Sequence, residues 1–247
     1  MIESGMTKPA LAFLFLALAA HAEEPQPTLE QIVERTARLA AKKPDALVCA
    51  VETDAEQLDS GGKKEHELRA QSEVTFKAGE QSEAIIRQWK DGKELTQKEL
   101  VAQDKKRAEA KAEGKQFDMK EPIEEPAKYR FALLRTEELW GRRAFVLSVA
   151  PLVDDSEDLK GTLWIDAVSF VELKAELHPA KNPDHVDWMK VQLQSTLHAS
   201  GAPIPSLVQI EGAGHMLFFR KGFRFTQRWG ECNPAPAAGG NLADSPH

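Results

Sequence analysis

Two long stretches in which apolar and polar side chains alternate dominate the first third of this chain. Residues 46–58 place mostly apolar side chains at every second position and mostly acidic ones between them, and residues 66–76 repeat the pattern. Gly61 and Gly62 lie between the two stretches, which is typical of a tight turn. Because successive side chains of a strand point to opposite faces, the pattern predicts an antiparallel hairpin with one solvated face.

The same period continues in shorter segments through the rest of the chain. No helix alternates regularly with these strands, so parallel βαβ units are not expected. The sequence therefore predicts a mainly β (α+β) fold with a strongly curved antiparallel sheet of about 10–11 strands. A loop is expected at Pro203 and Pro205, and turns at residues 212–214 and 221–222. The further strand-like segments are residues 84–89, 129–135, 143–150, 161–171, 171–177, 188–197, 207–211, 215–220 and 223–229.

Two helices are expected beside the strands. Thr28 and Gln31 have the spacing of a capping box, and apolar residues recur on one helical face as far as Leu39. Thr96 opens a second, highly charged helical insertion at about residues 97–114. A helix this polar packs along a narrow stripe or stands away from the body, and its charge run is expected to be a solvated face.

The first residues have the three parts of a secretory signal. Lys8 precedes an unbroken apolar run at residues 11–20, and Ala20-His21-Ala22 is an Ala-x-Ala cleavage signature. The run is shorter than the about 20 apolar residues that cross a membrane. We expect export to the periplasm with cleavage after Ala22; the alternative is a buried N-terminal helix.

The remaining chain divides into one domain and a tail. Residues 1–22 are the expected signal peptide, residues 23–232 the expected domain, and residues 233–247, rich in Pro, Gly and Ala, an expected disordered tail. No stretch after the signal is long and apolar enough to span a membrane. The formal net charge of −7 argues against nucleic acid and against anionic membrane surfaces as partners.

Cys49 and Cys232 are the two cysteines of the chain. An even number in an oxidising compartment favours a disulfide, although two separate thiols are the alternative. A bridge would connect the first predicted strand to the end of the last one.

The sequence offers little catalytic chemistry. It contains no Gly-x-Ser-x-Gly, His-Glu-x-x-His, glycine-rich phosphate loop or Cys-x-x-Cys motif. His178, Asp184, His185 and Asp187 are suitable ligand types, but their spacing favours a polar loop over a metal site. The acidic run at residues 154–158 lacks the spacing of a calcium loop. We therefore expect no enzyme, no bound metal and no cofactor.

Large apolar side chains recur at every second position of the later strands. If the two helices leave part of this face uncovered, these side chains line a pocket for an apolar ligand. If the helices cover the whole face, the same side chains form an ordinary core. The candidates for the lining are Phe131, Leu133, Phe145, Leu147, Leu163, Ile165, Val191, Leu193, Leu217 and Phe219.

Several short motifs resemble those of a known family. They are Leu58-Asp59-Ser60-Gly61, Asp91-Gly92-Lys93-Glu94-Leu95-Thr96, Tyr129-Arg130-Phe131, Gly141-Arg142-Arg143-Ala144-Phe145-Val146-Leu147 and Gly161-Thr162-Leu163-Trp164-Ile165-Asp166. With the order of elements over residues 28–230, they resemble the outer-membrane lipoprotein-sorting (LolA-like) superfamily.

The resemblance implies an incomplete antiparallel barrel in which helices close an apolar cavity for acyl chains. It also implies a periplasmic, non-enzymatic binding protein for an acyl chain, a lipoprotein or another apolar ligand. The alternative is an envelope sensor or scaffold that contacts another envelope protein and has a packed barrel.

Overall fold

The structure is a computed structural model that describes residues 26–77, 79–112, 121–155, 157–216 and 219–235. Within these ranges, strands account for most of the chain and helices lie near its beginning and before the fifth strand. The elements are α1 (Leu29–Ala40), β1 (Leu47–Leu58), β2 (Lys64–Lys77), β3 (Glu80–Lys90), β4 (Lys93–Glu94), α2 (Gln97–Ala112), a 3₁₀ turn (Pro126–Lys128), β5 (Tyr129–Leu139), β6 (Arg142–Pro151), β7 (Leu159–Asp166), β8 (Glu172–Pro179), β9 (Val186–Leu197), β10 (Pro203–Met216) and β11 (Phe219–Pro234).

These strands form one sheet in the order β4-β3-β2-β1-β11-β10-β9-β8-β7-β6-β5. Every pairing is antiparallel. The sheet consists of two meanders, β1–β4 and β5–β11, which meet where the first strand pairs with the last. β4 and β5 remain as edges, so the barrel is not closed. The predicted mainly β fold with an incomplete antiparallel barrel is confirmed.

Helix α1 begins where the capping box predicts. The Thr28 hydroxyl accepts a hydrogen bond from the Gln31 N–H at 3.3 Å, and the Gln31 side chain accepts one from the Thr28 N–H at 3.0 Å. These contacts satisfy two of the backbone donors that a helix start leaves free. Ile32 is fully buried, so the apolar stripe of α1 faces the sheet.

Strand β10 differs from the sequence-based expectation. The loop predicted at Pro205 and the turn predicted at residues 212–214 are wrong, because one strand runs through both. Pro205 lies at a register shift, where its missing N–H costs no ladder bond. A Cβ atom on Gly212 would lie 2.5 Å from the Phe223 ring, and one on Gly214 would lie 2.3 Å from a backbone oxygen. Here glycine permits close strand contact instead of a turn.

Strand β11 also runs through its predicted interruption. The turn expected at residues 221–222 is wrong, because Lys221 and Gly222 pair with Gly214 and Ala213 of β10. The strand continues to Pro234, two residues past the expected domain end at residue 232.

Other expectations about the ends of the chain fall on residues that are not described. The signal peptide at residues 1–22 and the tail from residue 236 onward lie outside the described residues, as do residues 113–114 of the expected insertion. Within the described ranges, no helix is long and apolar enough to cross a membrane.

The predicted disulfide is confirmed. Cys49 and Cys232 lie directly opposite each other in the β1–β11 pair and are bridged, with their Cα atoms 4.0 Å apart. Cys49 is fully buried in a small apolar cluster. This cluster contains Leu47, Cys49, Val51, Val74, Phe76 and Ile204. The bridge therefore fixes the junction between the two meanders.

Candidate functional site

Helix α1 covers the later strands and packs against most of the predicted pocket residues. Ile32 of α1 belongs to one core cluster with buried residues of five neighbouring strands. Five of the predicted lining residues are buried in this cluster: Phe145, Leu147, Leu163, Ile165 and Val191. Phe131 and Leu193 are partly buried and pack against it. At these seven positions the side chains belong to the core cluster or pack against it.

Leu133, another predicted lining residue, is not part of this cluster. Leu133 is 42% exposed, and the register of β5 with β6 shifts between Leu133 and Arg135. Leu134 is the extra residue at this shift, and the pairing of β5 with β6 resumes at Arg135. Leu217 and the side chain of Phe219 lie outside the described residues.

Free space on this side of the sheet lies at the C-terminal end of α1. A cavity of about 260 Å³ lies between that end, the connector at residues 121–124 and the ends of β2, β9 and β10. Phe76 and Ser195 line it from the sheet. Phe76 points to the same face as Cys49, and Ser195 points to the same face as Leu193, which lies two residues before it. Its apolar walls are Leu39, Pro44, Phe76, Ile123, Phe170, Val171, Pro203 and Pro205.

The connector before β5 closes one side of the cavity. The Glu124 N–H donates to the Glu121 carbonyl at 2.9 Å, so this segment forms a turn. The turn holds Ile123 in the cavity wall with only 1% of its surface exposed. The Lys43 Nζ atom lies 3.8 Å from Glu124 Oε1 and links the connector to the residues that follow α1.

A β-bulge places Glu172 at the cavity. Trp164 of β7 pairs with Lys174 of β8, but the next residue, Ile165, pairs with Glu172, so Leu173 is the extra residue. Ile165 faces the core, and its partner Glu172 therefore does too. Glu172 is 9% exposed and lines the cavity, and its Oε2 atom has no hydrogen-bond partner among the described residues.

No protein-family model and no curated protein sequence matches this chain. It is similar in structure to a LolA superfamily protein from Nitrosomonas europaea (11% identity, TM-score 0.36, covering 85% of this chain and 94% of that one). It is also similar to a DUF1329 family protein from Desulfovibrio piger (10% identity, TM-score 0.41, covering 87% and 94%).

The electrostatics of the cavity are unusual for an apolar site. Burial raises the pKa of Glu172 well above its ordinary value, and the negative charges of Glu121 and Glu124 raise it further. Burial and Glu124 raise the pKa of Glu121 to about 7, against the opposing charge of Lys43. A carboxyl with a raised pKa in a cleft is a typical sign of a binding or catalytic site. Sequence reasoning missed both glutamates.

The polar loop around the predicted metal-type residues is held by hydrogen bonds and ion pairs. Asp187 lies 2.6 Å from His215 Nδ1 through one oxygen and 3.1 Å from Arg220 Nε through the other. The ring of His185 packs against the edge of the His215 ring. Over the described part of the chain, no group of three or more His, Cys, Asp or Glu side chains is arranged to hold a metal ion.

Proposed function

We propose that this protein is a non-enzymatic periplasmic binding protein for an acyl chain, a lipoprotein or another apolar ligand. The observation that carries the proposal is the cavity of about 260 Å³ between α1 and the sheet. About half of the residues that line it are apolar, and an alkyl chain that contacts them loses contact with water. Each buried methylene contributes about 0.8 kcal/mol before the costs of association.

A variant that fills the cavity tests this proposal. Ala40 ends α1 and lines the cavity, whereas the next residue, Ala41, is exposed and is not part of the lining. We expect Ala40→Trp to weaken binding of the uncharged fluorescent probe N-phenyl-1-naphthylamine at least ten-fold, because the indole ring occupies the space. Ala41→Trp is the matched control and should bind as the wild type does.

The proposal fails if the wild-type protein does not bind the probe, or if the two variants bind it equally. Circular dichroism of Ala40→Trp should show the β-sheet content of the wild type. A lipid that copurifies with the wild-type protein, detected by native mass spectrometry, would support the proposal independently.

A second candidate is an envelope sensor or scaffold that acts through contacts with another protein. It is supported by the seven predicted pocket residues that pack with α1 in a core. Absence of both a copurifying lipid and probe binding would favour this candidate.

Export is a further part of the proposal. The apolar run at residues 11–20 and the Ala-x-Ala site before Glu23 support cleavage after Ala22. N-terminal sequencing of the protein from the periplasmic fraction should begin at Glu23. Recovery of the uncleaved chain from the cytoplasm alone would contradict this.

A further inference from the structure

The cavity contains a group that a site for a simple alkyl chain does not need. Glu172 is about nine-tenths buried, lines the cavity, and leaves its Oε2 atom without a hydrogen-bond partner among the described residues. Burial of an unpaired polar atom is costly, and in native structures such an atom usually has a partner. A ligand that donates a hydrogen bond at this position would supply the partner.

The charged groups around the cavity favour a cationic donor. The carboxyls that face it are Glu121, Glu124 and Glu172, and the cations are Lys42 and Lys43, directly after α1. The Lys43 ammonium forms its ion pair with Glu124, at 3.8 Å. The other two carboxyls, Glu121 and Glu172, would repel each other if both were ionised, and a positive charge between them would relieve this repulsion.

We propose that the ligand of this cavity is an apolar molecule that carries a primary ammonium group. The alkyl part contacts Leu39, Ile123 and Val171, and the ammonium donates to Glu172 Oε2. Charge-assisted hydrogen bonds of this kind are about twice as strong as neutral ones. The inference rests on the proposed function and adds the chemistry of the head group.

Binding of such a ligand releases a proton. Burial and the neighbouring glutamates raise the pKa of the Glu172 carboxyl, so it binds a proton more tightly in the empty cavity than an ordinary glutamate does. When the ammonium enters, the carboxyl gives this proton to the buffer and the ligand keeps all three N–H bonds. Binding therefore weakens as the pH falls. Glu121, whose pKa is about 7, contributes in the same direction. The other charged side chains that line the cavity are Glu124, Lys42 and Lys43.

Calorimetric titration of the purified protein with three ligands of equal chain length tests the inference. Decylammonium should bind at least ten-fold more tightly than decanol, and decanoate should bind most weakly, because the tail is constant and only the head changes. In two buffers with different ionisation enthalpies, the apparent enthalpy for decylammonium at pH 7 should reveal a net release of protons on binding.

Substitutions identify the carboxyl that binds the ammonium group. We expect Glu172→Gln to reduce the preference for decylammonium over decanol to less than two-fold, and to reduce the proton release to the share that comes from Glu121. Glu176→Gln is the matched control, since Glu176 lies two residues after Lys174 on the same strand and pairs with that lysine at 2.8 Å. It should keep the preference of the wild type.

The outcomes separate this inference from the proposed function. If decanol binds the wild type as tightly as decylammonium, or if no proton is released, the ammonium inference is wrong and apolar binding stands. If no decyl compound binds, both are wrong. The proton measurement uses the wild type, so it decides the question even if Glu172→Gln does not fold.

A last titration distinguishes a lipid head group from a free amine. Once decylammonium is preferred, tighter binding of lysophosphatidylethanolamine than of lysophosphatidylglycerol supports the inference with a phospholipid as the source of the ammonium. If the two lysophospholipids bind equally tightly, the result supports the ammonium inference with a free amine as the source of the ammonium.

Discussion

Loss of the disulfide between Cys49 and Cys232 should lower the free energy of unfolding by about 5 kcal/mol. The bridge closes a loop of 183 residues, and constraint of the unfolded chain grows with the logarithm of loop length. In the chain-entropy model, −2.1 − 1.5R ln n cal/mol/K gives about 5 kcal/mol at 25 °C for such a loop. The figure is an upper value, because the model counts only the unfolded chain.

The folded state should survive without the bridge. Strands β1 and β11 are paired from Leu47 to Leu58, so the two meanders remain joined by the backbone ladder when the sulfur atoms are removed. Cys49 is fully buried beside Val51 and Val74, so alanine at this position adds the cost of a small cavity.

The assay is urea denaturation of the wild type and of the double variant Cys49→Ala/Cys232→Ala, followed by circular dichroism. We expect the midpoint to fall in the variant and the dependence on urea to increase, because the unfolded chain expands. Dithiothreitol should destabilise the wild type and leave the variant unchanged. A difference in unfolding free energy below about 1 kcal/mol would refute the reasoning.

Three further changes test the fold and the cavity. A Cβ atom on Gly161 would lie 2.1 Å from the Glu176 carbonyl oxygen, so Gly161→Ala should lower the thermal midpoint, with a cost of about 2–4 kcal/mol. Burial opposes ionisation of Asp166, but hydrogen bonds from the following turn outweigh it and lower its pKa. Asp166→Asn should therefore cost about 1–3 kcal/mol at pH 7, and the difference from wild type in urea denaturation should disappear as the pH falls below about 4. The folded state raises the pKa of Glu121 to about 7 and raises that of Glu172 as well, so both carboxyls bind protons more tightly in the folded protein than in the unfolded chain. The free energy of unfolding should therefore fall as the pH rises from 4.5 through 7. The double variant Glu121→Gln/Glu172→Gln should abolish this loss. A double variant that loses as much stability between pH 5 and pH 8 as the wild type would contradict the last prediction.

The alternation of side chains was sufficient to predict the type of sheet. The period of two in β1 and β2 is a local property, because it requires only that one face of a strand is buried. The capping box at Thr28 and Gln31 is equally local, since both partners lie in the first turn of α1. These features are visible in the sequence because the interacting residues are close along the chain.

Glycines were ambiguous in the sequence. The sequence predicts a turn at Gly212, but this residue lies within β10, where the Phe223 ring occupies the space of a Cβ atom. Glycine is favoured in a turn where the backbone adopts a positive φ. It is also favoured between strands where an atom of a neighbouring residue occupies the position of a Cβ atom. The sequence does not distinguish these cases, since the neighbour lies on another strand.

The candidate site likewise depends on contacts between strands that the sequence does not reveal. By alternation alone, Glu172 belongs with Lys174 and Glu176 on the polar face of β8, and Leu173 would face the core. The bulge opposite Ile165 shifts the register by one residue and turns Glu172 toward the cavity. A shift of one residue exchanges the two faces of a strand. The amino-acid sequence therefore determined that β8 forms a strand, whereas only its pairing with β7 in the tertiary structure decided that the Glu172 carboxyl is buried at the end of α1.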